Sequence, residues 1–106
     1  MPRWRRRRGR PRKPRWIERQ PLTQYFVPRL RDSQSQSSVE KSASIVLTAA
    51  EHEVLRLIDL EGLTQEEAGE RMGVSRGTVW RTLQSARRKV TEALVEGRKL
   101  TVAPSS

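Results

Sequence analysis

The sequence predicts an all-α fold of three helices, preceded by a basic and disordered amino-terminal arm. Two observations lead to this prediction. Apolar residues recur at helical spacing after residue 45, between capping signals and glycine stops. Basic residues concentrate at the start of the chain: residues 1–31 hold twelve Lys and Arg against one acidic residue, whereas residues 32–106 hold ten against eleven. Such a block of like charge is typical of a tail that binds a polyanion.

The first predicted helix opens with a capping box formed by Thr48 and Glu51, and Leu47 before it is placed as a hydrophobic staple. We expect Gly62 to end this helix in a left-handed conformation. Four apolar residues give the helix one buried face: Val54, Leu55, Leu57 and Ile58.

The second predicted helix begins with another capping box, Thr64 with Glu67, and ends at Gly73. Ser75 caps the third helix, which we expect to reach about Glu96 with Gly97 as its stop. Its inward residues follow helical spacing: Val79, Leu83, Ala86, Val90 and Leu94.

Only three residues, Gly73, Val74 and Ser75, separate the second helix from the third. This spacing predicts a helix-turn-helix, in which the two helices cross steeply and need small residues at the crossing. Ala68 and Gly69 occupy that position. The alternative is a three-helix bundle without a nucleic-acid role.

The distribution of charge favours a DNA-reading role for the third helix. Residues 51–70 hold seven acidic residues against one Arg, whereas residues 71–99 hold eight basic residues against two acidic ones. A recognition helix enters the major groove with its amino end first. The side chains predicted to read bases are Arg76, Gly77, Trp80, Arg81 and Gln84. Those predicted to contact phosphates are Ser75, Thr78, Arg87, Arg88 and Lys89.

Two alternatives stay open for these positions. Trp80 is equally well explained as a core residue, because Val79 and Leu83 beside it are apolar. The run of three basic residues at 87–89 is also compatible with a solvated helix face.

The stretch RGRPRK in the arm resembles the AT-hook, an element that lies in the minor groove of AT-rich DNA. A narrow AT-rich groove concentrates negative potential and favours inserted arginine. The alternative is general attraction between the positive charges of the arm and the phosphates. The predicted minor-groove residues are Arg8, Gly9, Arg10, Pro11, Arg12 and Lys13.

The chain therefore divides into five predicted segments. The arm covers residues 1–19, and a segment containing Tyr-Phe-Val-Pro covers 20–31. The Ser/Gln-rich residues 32–44 read as a flexible linker, 45–100 as the helix-turn-helix domain, and 101–106 as a tail. The aromatic pair at 25–26 could dock on the same protomer, on a partner protomer or nowhere.

Several classes of protein are not expected. The chain has no cysteine, and its lone His52, read as a surface residue, has no partners for a metal site. We see no catalytic constellation and expect neither an enzyme nor a bound cofactor. No apolar stretch is long enough to span a bilayer, so we expect a soluble cytoplasmic protein associated with the nucleoid, with no membrane partner.

The stretch from Leu47 to Val90 resembles region 4 of bacterial sigma factors and, more loosely, the LuxR-type helix-turn-helix. A closer resemblance, which covers most of residues 10–100, is to a small prokaryotic family of predicted DNA-binding proteins, domain-of-unknown-function family 134 (uncharacterised protein family 0251). The shared blocks are RPRKPR, YF-x-P, LEGL-x-QEEA, MGVSR-x-T and SARRKV-x-EAL. Two departures are the Ser/Gln-rich stretch after Pro28 and Thr82, where an aliphatic residue is expected.

Together these features predict a sequence-specific double-stranded DNA-binding protein that regulates transcription. One alternative is a sigma-like accessory protein that contacts RNA polymerase through its acidic first helix. Another is a ribosome- or RNA-associated basic protein. A homodimer is also open, and it would present two reading helices to half-sites about 34 Å apart.

Overall fold

The computed structural model describes residues 16–19, 21, 25–41 and 43–104. Within this part of the chain the protein is mostly helical and carries a small three-stranded sheet. The predicted minor-groove residues of the arm, from Arg8 to Lys13, lie outside the described residues.

Three helices form the body of the molecule, as predicted. Helix α2 covers Ala49–Val54 and continues without a break through a widened helical segment, Leu55–Leu60, in which the N–H of Glu61 reaches back five residues to the carbonyl of Arg56 (2.9 Å). Helix α3 covers Gln65–Met72, and α4 covers Arg76–Glu96. None of the helices in the described residues is long and apolar enough to cross a membrane.

The predicted helix starts are confirmed. At both capping boxes the threonine hydroxyl accepts the N–H of the glutamate three residues later, and that carboxylate accepts the threonine N–H. Ser75 caps α4 by accepting the N–H of Thr78. Gly73 ends α3 with φ of 70°, which lets the chain reverse into α4 within three residues.

The core lies between α2, α3 and α4, and α4 contributes Val79, Leu83 and Ala86 to it. The prediction for Leu94 was wrong, since this side chain is 79% exposed. The reason is length: a helix of 21 residues spans about 31 Å, whereas the eight residues of α3 span about 12 Å. The last turns of α4 therefore extend beyond the helices that cover its first half.

The prediction of an all-α fold is confirmed only in part, because the mostly helical described residues also form a small sheet. Strands β1 (Tyr25–Phe26), β2 (Ile45–Leu47) and β3 (Leu100–Val102) form a sheet in the order β1-β3-β2. β3 pairs with β1 in antiparallel fashion and with β2 in parallel fashion. Val102 is buried in the core with Leu47, so the predicted tail contains a structural residue.

The Ser/Gln-rich segment is also more ordered than predicted. It forms a short 3-10 turn, Ser33–Ser35, followed by helix α1, Gln36–Lys41. The side-chain amide of Gln36 donates to the carbonyl of Pro28 (2.7 Å) and accepts the N–H of Leu30 (2.8 Å). These bonds hold the Tyr-Phe-Val-Pro segment, whose aromatic pair forms β1 on the same chain while both rings stay at least half exposed.

A prediction on stability follows from the crossing of α3 and the turn after it. A Cβ added at Gly69 would lie 2.8 Å from the carbonyl oxygen of Val74, which is backbone and cannot move aside. Gly69→Ala should therefore destabilise the fold by about 1–3 kcal/mol, although alanine favours helices. At Gly77 an added Cβ meets the end of the Arg81 side chain at 3.6 Å and the Ser75 hydroxyl at 3.9 Å, both ordinary van der Waals contacts. Gly77→Ala should thus be neutral or stabilise by up to about 1 kcal/mol.

Thermal unfolding followed by circular dichroism distinguishes the two variants. Equal melting temperatures for both would contradict the close contact at Gly69.

Candidate nucleic-acid interface

One side of α4 is exposed over its first three turns. The residues predicted to read bases are all exposed there, whereas Val79, Leu83 and Ala86 of the same helix are buried; the five exposed residues are Arg76, Gly77, Trp80, Arg81 and Gln84. Trp80 is 48% exposed, so it is not a core residue. The predicted exposure is confirmed for all five positions.

The amino end of α4 holds Arg81 in a defined place. The Arg81 guanidinium approaches the hydroxyl of Thr78 (3.4 Å) and lies over Gly77, with Nη1 3.6 Å from the position of an ideal Cβ. The hydroxyl of Thr78 is itself 3.0 Å from the capping hydroxyl of Ser75. The two predicted phosphate contacts Ser75 and Thr78 therefore also serve the helix cap.

The run of three basic residues on α4 does not act as one surface. Arg87 donates to both carboxylate oxygens of Asp59 (3.1 and 2.7 Å), and both side chains stay well exposed. Its hydrogen bonds lower the pKa of the Asp59 carboxyl below its usual value. Arg88 is exposed and makes no ion pair within the described residues.

Lys89 points away from the outer side of α4. Its ammonium donates to the Glu51 carboxylate (2.8 Å) and to the carbonyl of Val46 in β2 (2.8 Å). Burial would raise the pKa of Glu51, but the bond from Lys89 and bonds from Ser85 and Thr48 lower it. Lys89 therefore joins α4 to α2 and β2, and its position does not suit the predicted phosphate contact.

The prediction of a disordered arm over residues 1–19 was wrong for its last four residues. The backbone N–H of Trp16 donates to the carbonyl of Met72 (3.0 Å), one of the carbonyls that the end of α3 leaves without a helical partner. The Trp16 indole packs on Gly73, with ring carbons 3.2–3.4 Å from the position of an ideal Cβ. Trp16 thus lies on the turn between α3 and α4.

Glu18 joins this segment to two helices. Its carboxylate accepts two bonds from Arg71 of α3 (2.6 and 2.7 Å) and one from Arg56 (3.1 Å). The bonds from Arg71, assisted by Arg56, outweigh desolvation and lower the pKa of Glu18 to about 2. The backbone N–H of Glu18 donates to the carboxylate of Glu53 (2.9 Å).

Glu53 is a fully buried carboxylate and depends on Arg56 for its charge. Arg56 donates to both of its oxygens (3.0 and 2.9 Å) and also pairs with Glu61. Burial would raise the pKa of Glu53, but the bonds from Arg56 and from the Glu18 N–H lower it instead. The same carboxylates raise the pKa of the Arg56 guanidinium further above its usual range.

His52 is less exposed than predicted. Its side chain is half buried, and Nδ1 is buried without a hydrogen-bond partner among the described residues. Desolvation lowers the pKa of the imidazole. His52 therefore packs as a neutral side chain at neutral pH.

Comparison with known proteins identifies the family. The family model described as "Protein of unknown function DUF134" matches residues 1–104 of the chain. The chain belongs to the DUF134 family. The resemblance to this family predicted from the sequence blocks is thereby confirmed.

Relatives of this DUF134 protein occur in archaea and bacteria. A UPF0251 protein of Pyrococcus furiosus is 54% identical over 104 residues, which are 98% of this chain and 90% of the relative. A UPF0251 protein of Methanosarcina acetivorans is 44% identical over 95 residues, 90% of this chain and 80% of the relative. A UPF0251 protein of Pyrococcus horikoshii is 67% identical over 60 residues, a match that spans about half of its length (54%). No solved structure gives a significant match to the chain.

One feature of the sequence is consistent with the contacts of residues 16–18. Glu18 is the single acidic residue among the first 31, and an isolated carboxylate in a basic segment often has a specific partner. Its partners lie 38 and 53 residues away in the sequence, and no local pattern identifies them.

The buried pair gives a prediction on the pH dependence of stability. Arg56→Met in this DUF134 protein leaves the Glu53 carboxylate buried without its charge partner, which should cost about 3–5 kcal/mol at pH 7. The folded-state pKa of Glu53 then lies above its unfolded value instead of below it. Protonation relieves the penalty, so the difference in stability between wild type and variant should shrink as the pH falls from 7 to about 4.5.

Urea unfolding at the two pH values measures this difference. Arg87→Met is the matched control, because it removes an exposed ion pair and should cost about 1 kcal/mol or less at either pH. A penalty for Arg56→Met that grows on acidification would contradict the proposed role of the buried pair.

Proposed function

We propose that this DUF134 protein is a sequence-specific double-stranded DNA-binding protein that regulates transcription. In this proposal α3 and α4 form a helix-turn-helix, and α4 enters the major groove with its amino end first. The basic arm binds the adjacent phosphates or minor groove.

The observation that carries the proposal is the exposed side of α4. Arg76, Trp80, Arg81 and Gln84 project from it within the first three turns, where a recognition helix meets base edges. Arginine pairs with the two acceptors of guanine and glutamine with adenine, while an exposed aromatic ring can contact a thymine methyl. An exposed tryptophan on a helix that already has a complete buried face has no role in the core.

The packing of α3 on α4 supports the same proposal. A helix-turn-helix needs close approach of its second helix to the turn, and Gly69 provides it by leaving space for the Val74 carbonyl. The left-handed Gly73 then lets α4 start at Ser75. These contacts support α4 from behind, so its outer side is free to enter a groove.

The charges of α4 suit a phosphate backbone. Residues 76–91 contain five basic residues and no acidic one. Of these residues Arg76, Arg81 and Arg88 are exposed without an ion pair within the described residues, and Arg87 can exchange its exposed partner Asp59 for a phosphate. Lys89 does not belong to this surface, because its ammonium donates to Glu51 and to the Val46 carbonyl.

The acidic surface invoked for a polymerase contact is weaker than the sequence indicates. Glu51 pairs with Lys89, Glu53 with Arg56, and Asp59 with Arg87. Because these carboxylates are used within the molecule, the first helix presents little free negative charge. This pairing of the carboxylates supports the proposal of DNA, and not RNA polymerase, as the partner.

Selection of bound sequences from a random duplex pool, with the purified full chain, tests the proposal. We expect enrichment of one motif, and tighter binding to that motif than to structured RNA of equal charge at the same salt concentration. Enrichment of no motif, or tighter binding to the RNA, would overturn the proposal in favour of a general or RNA-directed basic protein.

The division of roles on α4 gives a prediction for single substitutions. Arg76→Ala or Arg81→Ala should cost about 1–3 kcal/mol on the preferred site and relax specificity at one base pair. Arg88→Ala should weaken binding to all sequences alike and lower the slope of log K against log salt by about one.

Fluorescence anisotropy on specific and scrambled duplexes measures both effects. Arg98→Ala removes the same charge after the end of α4, where Arg98 pairs with Glu96, and it serves as the control. If all four variants lose affinity equally on both duplexes, α4 does not read sequence.

The arm gives a prediction at constant charge, which concerns residues 8–10 outside the described part of the chain. The triple variant Arg8→Lys, Gly9→Ala and Arg10→Lys keeps the net charge and should keep most of the salt-dependent affinity. Lysine inserts less favourably than arginine into a narrow minor groove, so the variant should lose its preference for AT-rich over GC-rich flanks.

The readout is the affinity for duplexes that share one motif and differ only in their flanks. Equal affinity of the unmodified protein for both kinds of flank would show that the arm binds by charge alone.

A further inference from the structure

The segment formed by residues 16–19 is held at three separate points, although it follows a chain start rich in like charge. The Trp16 N–H binds the carbonyl that ends α3, and its indole covers Gly73. The Glu18 carboxylate binds Arg71 through two nitrogens and Arg56 through one. The Glu18 N–H binds the buried Glu53. We call these contacts of residues 16–19 the anchor.

The anchor determines where the basic chain joins the folded body. Trp16 lies on Gly73, two residues before Ser75, which caps α4. Trp16 is the described residue that directly follows positions 1–15, which contain nine basic residues, and it lies beside the amino end of α4. That end is the one that the proposed function places in the major groove.

We infer that Glu18 is a positioning residue for DNA recognition: it fixes the basic arm beside the amino end of α4, so that the arm reads the flank on one side of the motif at a set distance. This inference rests on the proposed DNA-binding function and deepens it. The arm then contributes to specificity through its position as well as its charge.

The length of the tether sets the expected distance. Arg10 lies six residues before Trp16, so it can reach at most about 20 Å from the anchor, or about six base pairs. If the anchor opens, the next fixed point described along the chain is β1 at Tyr25, 15 residues from Arg10. The effective concentration of the arm at the nearby flank falls as about the −3/2 power of tether length. A tether 2.5 times longer should therefore lower the occupancy of that flank by the arm about fourfold.

The ion pair between Glu18 and Arg71 is the one part of the anchor that a single substitution can remove without loss of the core. Glu18 and Arg71 are partly exposed, and Arg56 keeps Glu53 and Glu61 as partners when Glu18 is changed. Glu18→Gln removes the charge that binds Arg71 and raises the net charge by one. Arg71→Gln opens the same contact from α3 and lowers the net charge by one. A loss shared by both variants therefore cannot come from general attraction to DNA.

The test uses the full chain and a set of duplexes that contain the selected motif in a GC-rich context. A tract of AT base pairs is placed at increasing distance from the motif, on one side or the other, and affinity is measured for each position. The unmodified protein should prefer the tract within about six base pairs on one side. Both variants should weaken the anchor, lose up to about fourfold of that preference and spread it over a longer range. Glu70→Gln is the control, since Glu70 is exposed on α3 and makes no ion pair within the described residues.

Each outcome has a separate meaning. Loss of position dependence in both variants but not in Glu70→Gln, with unchanged affinity for the motif without a tract, supports the inference. If wild type and both variants show the same position dependence, the inference is overturned and the proposed DNA binding stays intact. The same conclusion follows if the affinity of the wild type does not depend on the tract at any distance. A wild type that selects no motif overturns the proposed function together with the inference. Melting temperatures of the variants exclude global unfolding as the cause.

Discussion

The contact between Gly69 and the Val74 carbonyl sets the arrangement on which the rest of the structure depends. With a side chain at Gly69 the oxygen would be 2.8 Å from Cβ, so α3 and the turn could not lie this close. Their closeness fixes the direction of α4 and thereby decides which of its residues are buried. The same turn also carries the two groups that Trp16 contacts. They are the Met72 carbonyl, which accepts the Trp16 N–H, and Gly73, on which the indole packs. The absence of a methyl group at Gly69 thus determines both the exposed side of α4 and the place where the basic arm joins the folded body.

Sequence signals that lie within one helical turn predicted the helices well, whereas contacts between residues far apart in the sequence were not predicted. The capping boxes at Thr48 and Thr64 and the stop at Gly73 depend on residues within one turn, so the sequence displays them directly. The strands are two or three residues long, too short for an alternating pattern, and β3 joins partners more than fifty residues apart. The exposure of Leu94 depended on how far α3 extends along α4, which spacing within α4 alone does not reveal.

The candidate site shows the same division. Helical spacing was enough to predict the outward residues Arg76, Arg81 and Gln84. It could not distinguish Lys89 from Arg88, because the difference comes from Glu51 and the Val46 carbonyl on other elements. Counting charges overstated the surface field, since Arg56 and Lys89 are each used inside the molecule. The formal charge of +10 is thus a poor guide to which cations meet a ligand.

The place of β3 in the sheet has a consequence for biosynthesis. β3 is the central strand, yet it is the last of the three to be synthesised. β1 and β2 do not pair with each other, so the backbone edges of both strands stay unpaired until Val102 has left the ribosome. The helices, whose contacts are mostly local, can form earlier on the nascent chain. A chain shortened before Leu100 would therefore keep every helix of the described residues but leave both edge strands unpaired.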